Sequence, residues 1–405
     1  MTSAARTPRT ADAVVVGGGT IGAWCAWFLS RAGLASVVLV EAGTLGSGAS
    51  SRAAGMVRAQ GGTATAVRLG LFSRDFYGNQ QDAIGLDSGF VAQGYFMPCF
   101  SAAEVRQAHT RIAMQQGLGL DVRWVRPEEL DALNPALAPG HTLGGSYAPG
   151  DGYIDPPRNV LAYTAALVQA DVTVLERTPY MGLVRAGSRV TGIRTASGDI
   201  ATDRVILTGG PSLAAVGRAA GVRIPAGGAR HQVVVTQPHP DLAAERLPMV
   251  FDVASGIYYR PEEGGVLWGM SNPDEQPGEA TEFDWDYFAV MRKRVATLLP
   301  ATADLGLRKT WAATIDFTPD HLPIIGRALT DAGFVDGCFV ASAGGHGMMW
   351  GPGVSKATAD LALSGTTDVV DVTDLGLDRF DDEGRSRLQA DPIALPFPQA
   401  VSAGE

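Results

Sequence analysis

The segment that most restricts the fold of this chain is residues 12–43, which read DAVVVGGGTIGAWCAWFLSRAGLASVVLVEAG. Residues 13–16 are a short apolar run typical of buried parallel strands, and residues 36–40 are a second such run. The apolar-rich stretch 21–32 between them predicts a helix that ends before Gly33. Strand, helix and strand in this order predict a right-handed βαβ unit.

Three glycines at the first turn of this unit indicate a dinucleotide. Gly17, Gly19 and Gly22 give the spacing GxGxxG directly after the first strand. The first permits a tight turn, the second lets the main chain approach a pyrophosphate, and the third lets helix and strand pack closely. The helix N-terminus then offers N–H groups and a positive dipole end to the phosphates. Glu41 ends the second strand, where a carboxylate accepts a hydrogen bond from a ribose hydroxyl and repels the 2′-phosphate of NADP.

The loop after the second strand favours FAD over NAD. An NAD-binding domain usually continues at once into another βαβ unit. Here the chain enters GSGASSRAAGMVR (46–58), which is too rich in glycine, serine and alanine for a crossover helix. Such a loop can lie along an extended cofactor and present main-chain amides to it.

Length, charge and cysteine content exclude several classes of protein. The 405 residues suffice for two domains, or for one large domain with an insertion. A net charge of −10 disfavours nucleic acid and anionic membranes as partners, and the lack of a run of about 18 apolar residues predicts no membrane span. Cys25, Cys99 and Cys338 form no CxxC pair, so we expect neither a disulfide framework nor a metal site. With no secretory signal at the N-terminus, we expect a cytoplasmic protein.

Further along, helix and strand patterns alternate. Asp155 before Pro156 predicts a helix start, because Asp caps a helix and Pro suits its first turn. The sequence ASGD (196–199) predicts a hairpin turn. Other predicted elements are helices over 63–82, 101–117 and 285–299, a strand over 90–100 and several strands within 231–270.

A second strand–glycine–helix unit is predicted near the C-terminus. A strand over 337–345 leads into GGHGMMWGPG (344–353), and a helix is expected over 354–365. The polar, proline-bearing tail after about residue 380 is expected to lie on the surface or to be disordered.

Taken in order, these segments resemble the flavin-dependent amine oxidoreductase family that includes D-amino acid oxidase, glycine oxidase, sarcosine oxidase and dimethylglycine dehydrogenase. The segments that carry the resemblance are VVVGGGTIGAWCAWFLSRAG, SGASSRAAGMVR, DGYIDP, RVTGIRTASGDIATDRVILTGGP, TPDHLPIIG and SAGGHGMMWGPGVSKATADL, which span nearly the whole chain. The resemblance implies an α/β, Rossmann-like FAD-binding domain (GR2-type) built from residues 1–86, 141–226 and 318–375. It also implies an α+β substrate domain, a mostly antiparallel sheet with helices, built from residues 87–140, 227–317 and 376–405.

The resemblance implies that main-chain groups and small side chains make most of the cofactor contacts. Amides around Met348 and Met349, ahead of a helix at Pro352, would face the flavin C2 carbonyl. His346 is expected to be a hydrogen-bonded turn residue, with a catalytic role as the alternative. The expected FAD-binding residues are Gly17, Gly19, Thr20, Ile21, Gly22, Glu41, Ala42, Ser50, Ser51, Arg52, Ala54, Gly55, Met56, Tyr180, Gly209, Gly210, Gly344, Gly345, His346, Gly347 and Met348.

Neither covalent flavin attachment point of the family is present. Members similar to dimethylglycine dehydrogenase carry a histidine in SGxTWHAAG, and here SGASSRAAG places Arg52 at that position. Members similar to monomeric sarcosine oxidase carry a cysteine five residues before the threonine of the TPD segment, and counting back from Thr318 gives Ala313. The resemblance therefore implies non-covalently bound FAD.

Four positions bear on the substrate and the electron acceptor. Arg58 stands where sarcosine oxidase-like members bind the substrate carboxylate, a task that suits the planar guanidinium fork. Ile315 replaces the arginine of D-amino acid enzymes, which disfavours a D-amino acid. Leu267 replaces a lysine linked to oxygen activation, so the acceptor is left open between oxygen and a redox partner. Met349 replaces the lysine of GHGFK, which leaves Arg58 as the expected carboxylate ligand.

Two neighbouring tyrosines are further candidates for the substrate pocket. Tyr258 and Tyr259 alternate along one predicted strand, so only one of them can face a given side. Core packing is the alternative for each, and for His231 as well.

The function implied is oxidation of a secondary or N-alkylated amine, with an amino acid as the expected substrate. A hydride would move from the substrate C–H to flavin N5, and the resulting imine would hydrolyse. Two alternatives stay open: a primary amino-acid or 2-hydroxy-acid dehydrogenase of the same fold, and a flavoprotein subunit that passes electrons to a partner chain.

Overall fold

The computed structural model describes residues 7–242 and 247–395, which form two large sheets with helices packed around them. The strands are β1 (Ala13–Val16), β2 (Val37–Val40), β3 (Met56–Val57), β4 (Tyr95–Pro98), β5 (Arg123–Val125), β6 (Gly145–Ala148), β7 (Gly152–Tyr153), β8 (Thr173–Leu175), β9 (Tyr180–Ala186), β10 (Arg189–Thr195), β11 (Gly198–Ala201), β12 (Val205–Leu207), β13 (Gly227–Thr236), β14 (Met249–Asp252), β15 (Ile257–Glu262), β16 (Gly265–Ser271), β17 (Leu307–Phe317), β18 (Ile324–Thr330) and β19 (Gly333–Ser342). The α-helices are α1 (Thr20–Arg31), α2 (Ala64–Gly78), α3 (Gln80–Ile84), α4 (Ala102–Gly117), α5 (Leu130–Leu133), α6 (Pro156–Gln169), α7 (Leu213–Ala220), α8 (Trp285–Leu298) and α9 (Gly347–Ser364).

The first sheet contains the predicted βαβ unit and confirms the Rossmann-like expectation. Its nine strands run in the order β11-β10-β19-β12-β1-β2-β8, with β18 beside β19 and β9 beside β10. Strand β1 pairs in parallel with β2 and β12, and every residue of β1 and β2 is buried. Residues of α1, α2, α6 and α9 form the apolar cluster on one face of this sheet.

The second sheet has eight strands in the order β17-β13-β16-β15-β14-β4-β6-β5 and is antiparallel except where β4 pairs with β14. Helix α8 packs on one face, where Phe288 and Met291 join Trp268 and Tyr259 in an apolar cluster. The opposite face carries Tyr95, Phe251 and Tyr258 and is turned toward the cavity described below. Strand β6 belongs to this sheet, although its residues fall within 141–226, which we assigned to the FAD-binding domain. The domain boundaries stay a prediction.

Two local sequence signals are confirmed in detail. Asp155 caps α6, and its side chain accepts a hydrogen bond from Arg158 N at 3.0 Å. The ASGD stretch turns β10 into β11, with Thr195 opposite Gly198. The predicted helix over 63–82 is instead two helices, because α2 ends at Gly78 and α3 begins at Gln80.

The helix at the C-terminal glycine-rich stretch starts earlier than predicted. We expected it after Pro352, but α9 begins at Gly347 and contains Pro352. A proline inside a helix removes one N–H donor. Pro352 therefore leaves the Met348 carbonyl, four residues earlier, without its usual helix donor. That carbonyl instead accepts a hydrogen bond from the Tyr77 hydroxyl at 3.0 Å, and Gly353 N donates to Ser73 Oγ at 3.1 Å. Side chains of α2 therefore make the early start possible.

The C-terminal tail also differs from the expectation. Its described part is not confined to the surface, since Ile393 is fully buried against the second sheet. A buried bidentate ion pair between Arg379 and Asp320, at 2.8 and 3.0 Å, anchors the chain before it. Among residues 7–242 and 247–395, none of the helices combines the length and the hydropathy of a membrane span.

Candidate active site

A cavity of about 580 Å³ is lined by residues of both sheets and of the loops between them. It is lined by most of the residues that we predicted to bind the cofactor or the substrate. Those that line it are Gly17, Gly19, Thr20, Ile21, Gly22, Glu41, Ser50, Arg52, Ala54, Gly55, Met56, Arg58, Gly209, Gly210, Tyr258, Gly345, His346, Gly347, Met348 and Met349.

Five predicted site residues do not line the cavity. Tyr259 lies on the other face of its strand, in the cluster under α8, where its hydroxyl accepts a hydrogen bond from Asn134 Nδ2 at 2.7 Å. The alternation along β15 that brings Tyr258 to the cavity turns Tyr259 away. Tyr180 packs against the cluster on the far face of the first sheet. The remaining three are Ala42, Ser51 and Gly344.

One end of the cavity is the turn between β1 and α1, and it admits little besides glycine. Gly17 has φ +106°, and a Cβ there would lie 1.8 Å from the Thr208 carbonyl oxygen. A Cβ on Gly22 would lie 1.9 Å from the Gly17 carbonyl oxygen. The first N–H groups of α1 have no acceptor within the helix and point out of its N-terminus, where an anion is stabilised. We call this the phosphate end.

Side chains around the phosphate end fix its main chain. Both Glu41 carboxylate oxygens accept main-chain N–H groups, from Gly18 at 2.7 Å and from Gly43 at 2.6 Å. Each oxygen has a second lone pair, so Glu41 keeps capacity for a ribose hydroxyl. Ser50 Oγ accepts from Thr20 N at 2.9 Å, which ties the loop after β2 to the start of α1.

The loop 46–58 that follows β2 is held along the cavity from the second sheet. Trp311 Nε1 donates to the Arg52 carbonyl at 2.8 Å, and Arg260 Nε donates to the Ala54 carbonyl at 2.8 Å. The Arg52 side chain turns back on its own loop and donates to the Gly48 carbonyl at 2.9 Å. The loop therefore lines the cavity, and its position along the cofactor stays a prediction.

The middle of the cavity is the N-terminus of α9. Met349 and Met348 lie in its first turn, so their N–H groups lack acceptors within the helix and favour negative charge in front of them. His346 is the N-cap residue, with its ring 4.1 Å from that of Trp350 and Nδ1 3.2 Å from the Gly344 carbonyl. Burial lowers the pKa of His346 to about 3, so its ring is neutral, as expected for a hydrogen-bonded turn residue.

The other end of the cavity contains Arg58, and we call it the substrate end. Arg58 is only 3% exposed, yet lines the cavity, and its guanidinium lies 5.5 Å from the Phe251 ring centroid. It donates to two main-chain carbonyls, those of Gln60 and, at 3.0 Å, Ile393. In the described ranges no carboxylate lies within 4.0 Å of it. A buried cation with neutral partners favours an anionic ligand.

A hydrogen-bonded trio stands at the same end, on the cavity face of the second sheet. His231 Nε2 is bonded to the Tyr258 hydroxyl, and His231 Nδ1 lies 2.8 Å from Ser271 Oγ. Burial lowers the pKa of His231 to about 4 and raises the pKa of Tyr258 well above its usual range. Both side chains are therefore neutral near pH 7, and the trio can pass a proton without carrying a charge at rest.

Three contributors to the substrate end were not predicted as site residues: Tyr95, Phe251 and Leu395. The two aromatic residues lie on β4 and β14, in short apolar strands that carry no motif. Leu395 belongs to the tail that we expected on the surface. No local signal marks these residues, because only the pairing of distant strands brings them together.

Metal-binding groups do not cluster around this cavity. Within the described ranges, no three His, Cys, Asp or Glu side chains are placed to hold a metal ion. Cys25, Cys99 and Cys338 are buried thiols, and burial raises the pKa of Cys99 to about 11.

Comparison with known proteins agrees with this geometry. Residues 12–361 match the family described as FAD dependent oxidoreductase (DAO). The chain is 30% identical over 370 residues to 4-methylaminobutanoate oxidase (formaldehyde-forming) of Paenarthrobacter nicotinovorans, covering 89% of this chain and 44% of that protein. It is 27% identical to mitochondrial sarcosine dehydrogenase of Mus musculus, covering 88% of this chain and 40% of that protein. The chain thus spans less than half the length of these two relatives.

A solved structure matches over nearly its whole length. The L-proline dehydrogenase from P. horikoshii superposes with a TM-score of 0.84 at 25% identity, covering 92% of this chain and 98% of that one. The family match, which extends from the first strand into α9, includes the phosphate end and the N-terminus of α9. The cradle at Gly17, which a Cβ would fill, and the open N-terminal turns of α1 and α9 fit FAD. The chain belongs to the FAD dependent oxidoreductase family, and its cofactor is FAD.

Proposed function

We propose that this protein oxidises a secondary or N-alkylated amino acid, with FAD as the acceptor of the hydride. The observation that carries the proposal is Arg58, a buried guanidinium in the cavity whose hydrogen-bond partners are neutral. Asp151 and Asp391 act on Arg58 electrostatically but are not bonded to it, and a substrate carboxylate would supply a directly bonded negative charge. The names of the relatives support the class, since 4-methylaminobutanoate and sarcosine are both N-methylated amino acids.

Three groups of the chain would hold the cofactor. The N-terminal amides of α1 would bind the pyrophosphate, and Glu41 would accept a ribose hydroxyl. The amides of Met348 and Met349 at the start of α9 would stabilise negative charge on the ring system. When bound, FAD supplies the two-electron acceptor for the substrate C–H bond.

The residues of the substrate end would bind the carboxylate and orient the neutral amine. Arg58 would bind the carboxylate through two parallel hydrogen bonds, which fixes the position of the α-carbon. Tyr258 Oη, whose own proton is directed at His231 Nε2, would accept a hydrogen bond from the nitrogen of the neutral amine and orient it. The free lone pair of the neutral amine makes loss of hydride from the adjacent carbon easier. The imine product then hydrolyses in water to a carbonyl compound and an amine.

Anaerobic mixing with N-methyl amino acids tests this activity, because reduction bleaches the flavin absorbance. Arg58→Ala should raise KM by about 30-fold or more, since a charge-assisted hydrogen bond contributes about 1.5–3 kcal/mol. FAD content should be unchanged, because the phosphate end is formed by Gly17, Gly22 and Glu41 and not by Arg58. Arg58→Lys, which keeps the charge but loses the fork, should fall between the two. If no secondary amine bleaches the flavin, the proposed activity is wrong.

Non-covalent attachment of FAD is also part of the proposal. Ala313 lines the cavity where a cysteine would be needed, and the Arg52 side chain is engaged by the Gly48 carbonyl. Acid precipitation should release all of the yellow chromophore into the supernatant. Chromophore that stays on the pellet would contradict this.

A redox partner as electron acceptor is the second candidate, and Leu267 favours it. Leu267 lies on the cavity side of the second sheet, in the cluster with Tyr258 and Phe251, and introduces no charge there. The chain has three lysines, Lys293, Lys309 and Lys356, and none of them lines the cavity. Turnover with artificial dyes but not with oxygen would support a partner protein as the acceptor. We also propose that this protein resides in the cytoplasm.

A further inference from the structure

The C-terminal part of the described chain enters the substrate end of the cavity. Ile393 is fully buried and packs with the cluster that contains Tyr95 and Phe251, while Leu395 lines the cavity itself. We call residues 391–395 the C-terminal strap. A polar tail gains little from burial by composition alone, so specific contacts must hold it.

Asp391 organises the strap. Its Oδ1 accepts a hydrogen bond from Ile393 N at 3.0 Å, and its own N–H donates to the Asp320 carbonyl at 3.1 Å. Asp320 in turn forms the buried bidentate pair with Arg379. Gly62 lies against the other side of the strap, and a Cβ there would be 2.1 Å from Asp391 Oδ1. These contacts together fix the position of the Ile393 carbonyl.

That carbonyl meets Arg58. Arg58 Nη2 donates to Ile393 O at 3.0 Å across 335 residues of sequence, and Nη1 donates to the Gln60 carbonyl. Each carbonyl is neutral, so the two acceptors fix the rotation of the guanidinium without neutralising it. The Tyr95 side chain also accepts a hydrogen bond from Arg58, so at most two of the five guanidinium N–H donors stay available for a ligand.

We propose that the C-terminal strap positions Arg58 for the substrate carboxylate, so that residues 391–395 set the affinity for acidic substrates without touching the reacting atoms. This inference rests on the proposed role of Arg58. Pre-orientation reduces the conformational entropy that the long arginine side chain loses on binding. The strap is therefore a positioning element, and its loss should weaken binding of carboxylates far more than binding of neutral analogues.

A matched pair of ligands and a matched pair of variants test the inference. Methoxyacetate resembles an N-methyl amino acid but carries an ether oxygen in place of the amine, and methoxyacetamide is its neutral counterpart. Calorimetric titration of the FAD-loaded protein gives Kd for each. Asp391→Ala should weaken methoxyacetate about tenfold and change methoxyacetamide by no more than about twofold. Asp391→Asn removes the same carboxyl group, which acts on Arg58, but keeps the acceptor for Ile393 N, so it should bind methoxyacetate at least as tightly as wild type.

Two further variants separate the strap from general loosening of the tail. Gly62→Ala must displace the Asp391 turn from the opposite side, and should reproduce the effect of Asp391→Ala. Arg387 precedes the strap in the tail, and its Nη2 lies 2.7 Å from Asp374 Oδ1 in an exposed ion pair. Arg387→Ala breaks this pair and should leave both Kd values unchanged. Equal losses for both ligands in Asp391→Ala would overturn the inference.

The wild-type protein gives a test that no folding defect can obscure. Methoxyacetate, but not methoxyacetamide, should slow hydrogen exchange at the amides of Ile393 and Ala394, because coupling between Arg58 and the strap is reciprocal. Unchanged exchange with bound methoxyacetate would overturn the inference. If Arg58→Ala abolishes the preference for methoxyacetate while Asp391→Ala and Gly62→Ala retain it, the strap inference fails and the proposed function stands. If Arg58→Ala retains the preference, the proposed carboxylate site itself is wrong.

Discussion

The phosphate end and the substrate end of the cavity are built in opposite ways. The phosphate end is main chain from one short turn, in which Gly17 and Gly22 are required because any Cβ would collide with a carbonyl oxygen. The substrate end is side chains from distant strands, namely Arg58 after β3, Tyr258 on β15 and His231 on β13. Main-chain amides bind any dinucleotide phosphate, whereas side chains select one substrate class. We therefore expect substitutions to separate cofactor loss from loss of substrate selectivity.

The largest expected effect on the protein is at the phosphate end, because a chain without FAD has lost the whole reaction rather than part of its rate. Gly17→Ala places a Cβ 1.8 Å from the Thr208 carbonyl oxygen, at a φ of +106° that L-residues rarely adopt. The turn must open, and we expect the purified protein to contain at least about tenfold less FAD. The ratio of flavin to protein absorbance measures this. Gly117→Ala at the end of α4 is the matched control, because its Cβ meets nothing within 4 Å. Full flavin content in Gly17→Ala would break the comparison.

This contrast also explains what could be predicted from the sequence. The GxGxxG turn is local, so its strand, helix and acidic partner Glu41 follow from 32 consecutive residues. The start of α9 did not follow, because Tyr77 and Ser73 satisfy the groups that Pro352 and its helix leave open, and both come from α2. Those two residues are more than 270 positions away in sequence.

The substrate end was predicted only in part for the same reason. Arg58 could be found through a motif, whereas Phe251 and Tyr95 reach the cavity through pairing of β14 with β4. The buried tail depends on the pair between Arg379 and Asp320, which the polar composition of the tail conceals. A buried ion pair whose hydrogen bonds are all made can hold a polar segment against the interior, although its composition predicts a surface position.

The second effect compares adjacent tyrosines on one strand. Tyr258→Phe removes the hydroxyl that is bonded to His231, and we expect kcat/KM to fall by about 10²-fold, as for loss of a group that orients the reacting nitrogen. Tyr259→Phe removes only the bond to Asn134 under α8, which should lower the free energy of unfolding by about 1 kcal/mol. Its kcat/KM should stay within about twofold of wild type. Steady-state kinetics and urea unfolding of both variants decide, and equal kinetic losses would show that the face of the strand does not matter.

The smallest effect is on pH, because side chains titrate and main-chain amides do not. Burial lowers the pKa of His231 from 6.5 to about 4, so between these values the unfolded chain binds more protons than the folded one. Stability from the neutral histidine is complete above pH 6.5 and is lost as the pH falls toward 4, by about 1.4 kcal/mol per unit. His231→Asn has no group that titrates here, so its stability does not fall with the wild-type stability. The difference in unfolding free energy between wild type and His231→Asn should therefore shrink by about 1.4 kcal/mol between pH 6 and 5. Ser50→Ala, which removes the bond to Thr20 N at the phosphate end, should show a deficit independent of pH. Urea unfolding at both pH values measures the two deficits, and a constant deficit for His231→Asn would mean that burial does not lower the pKa of this histidine.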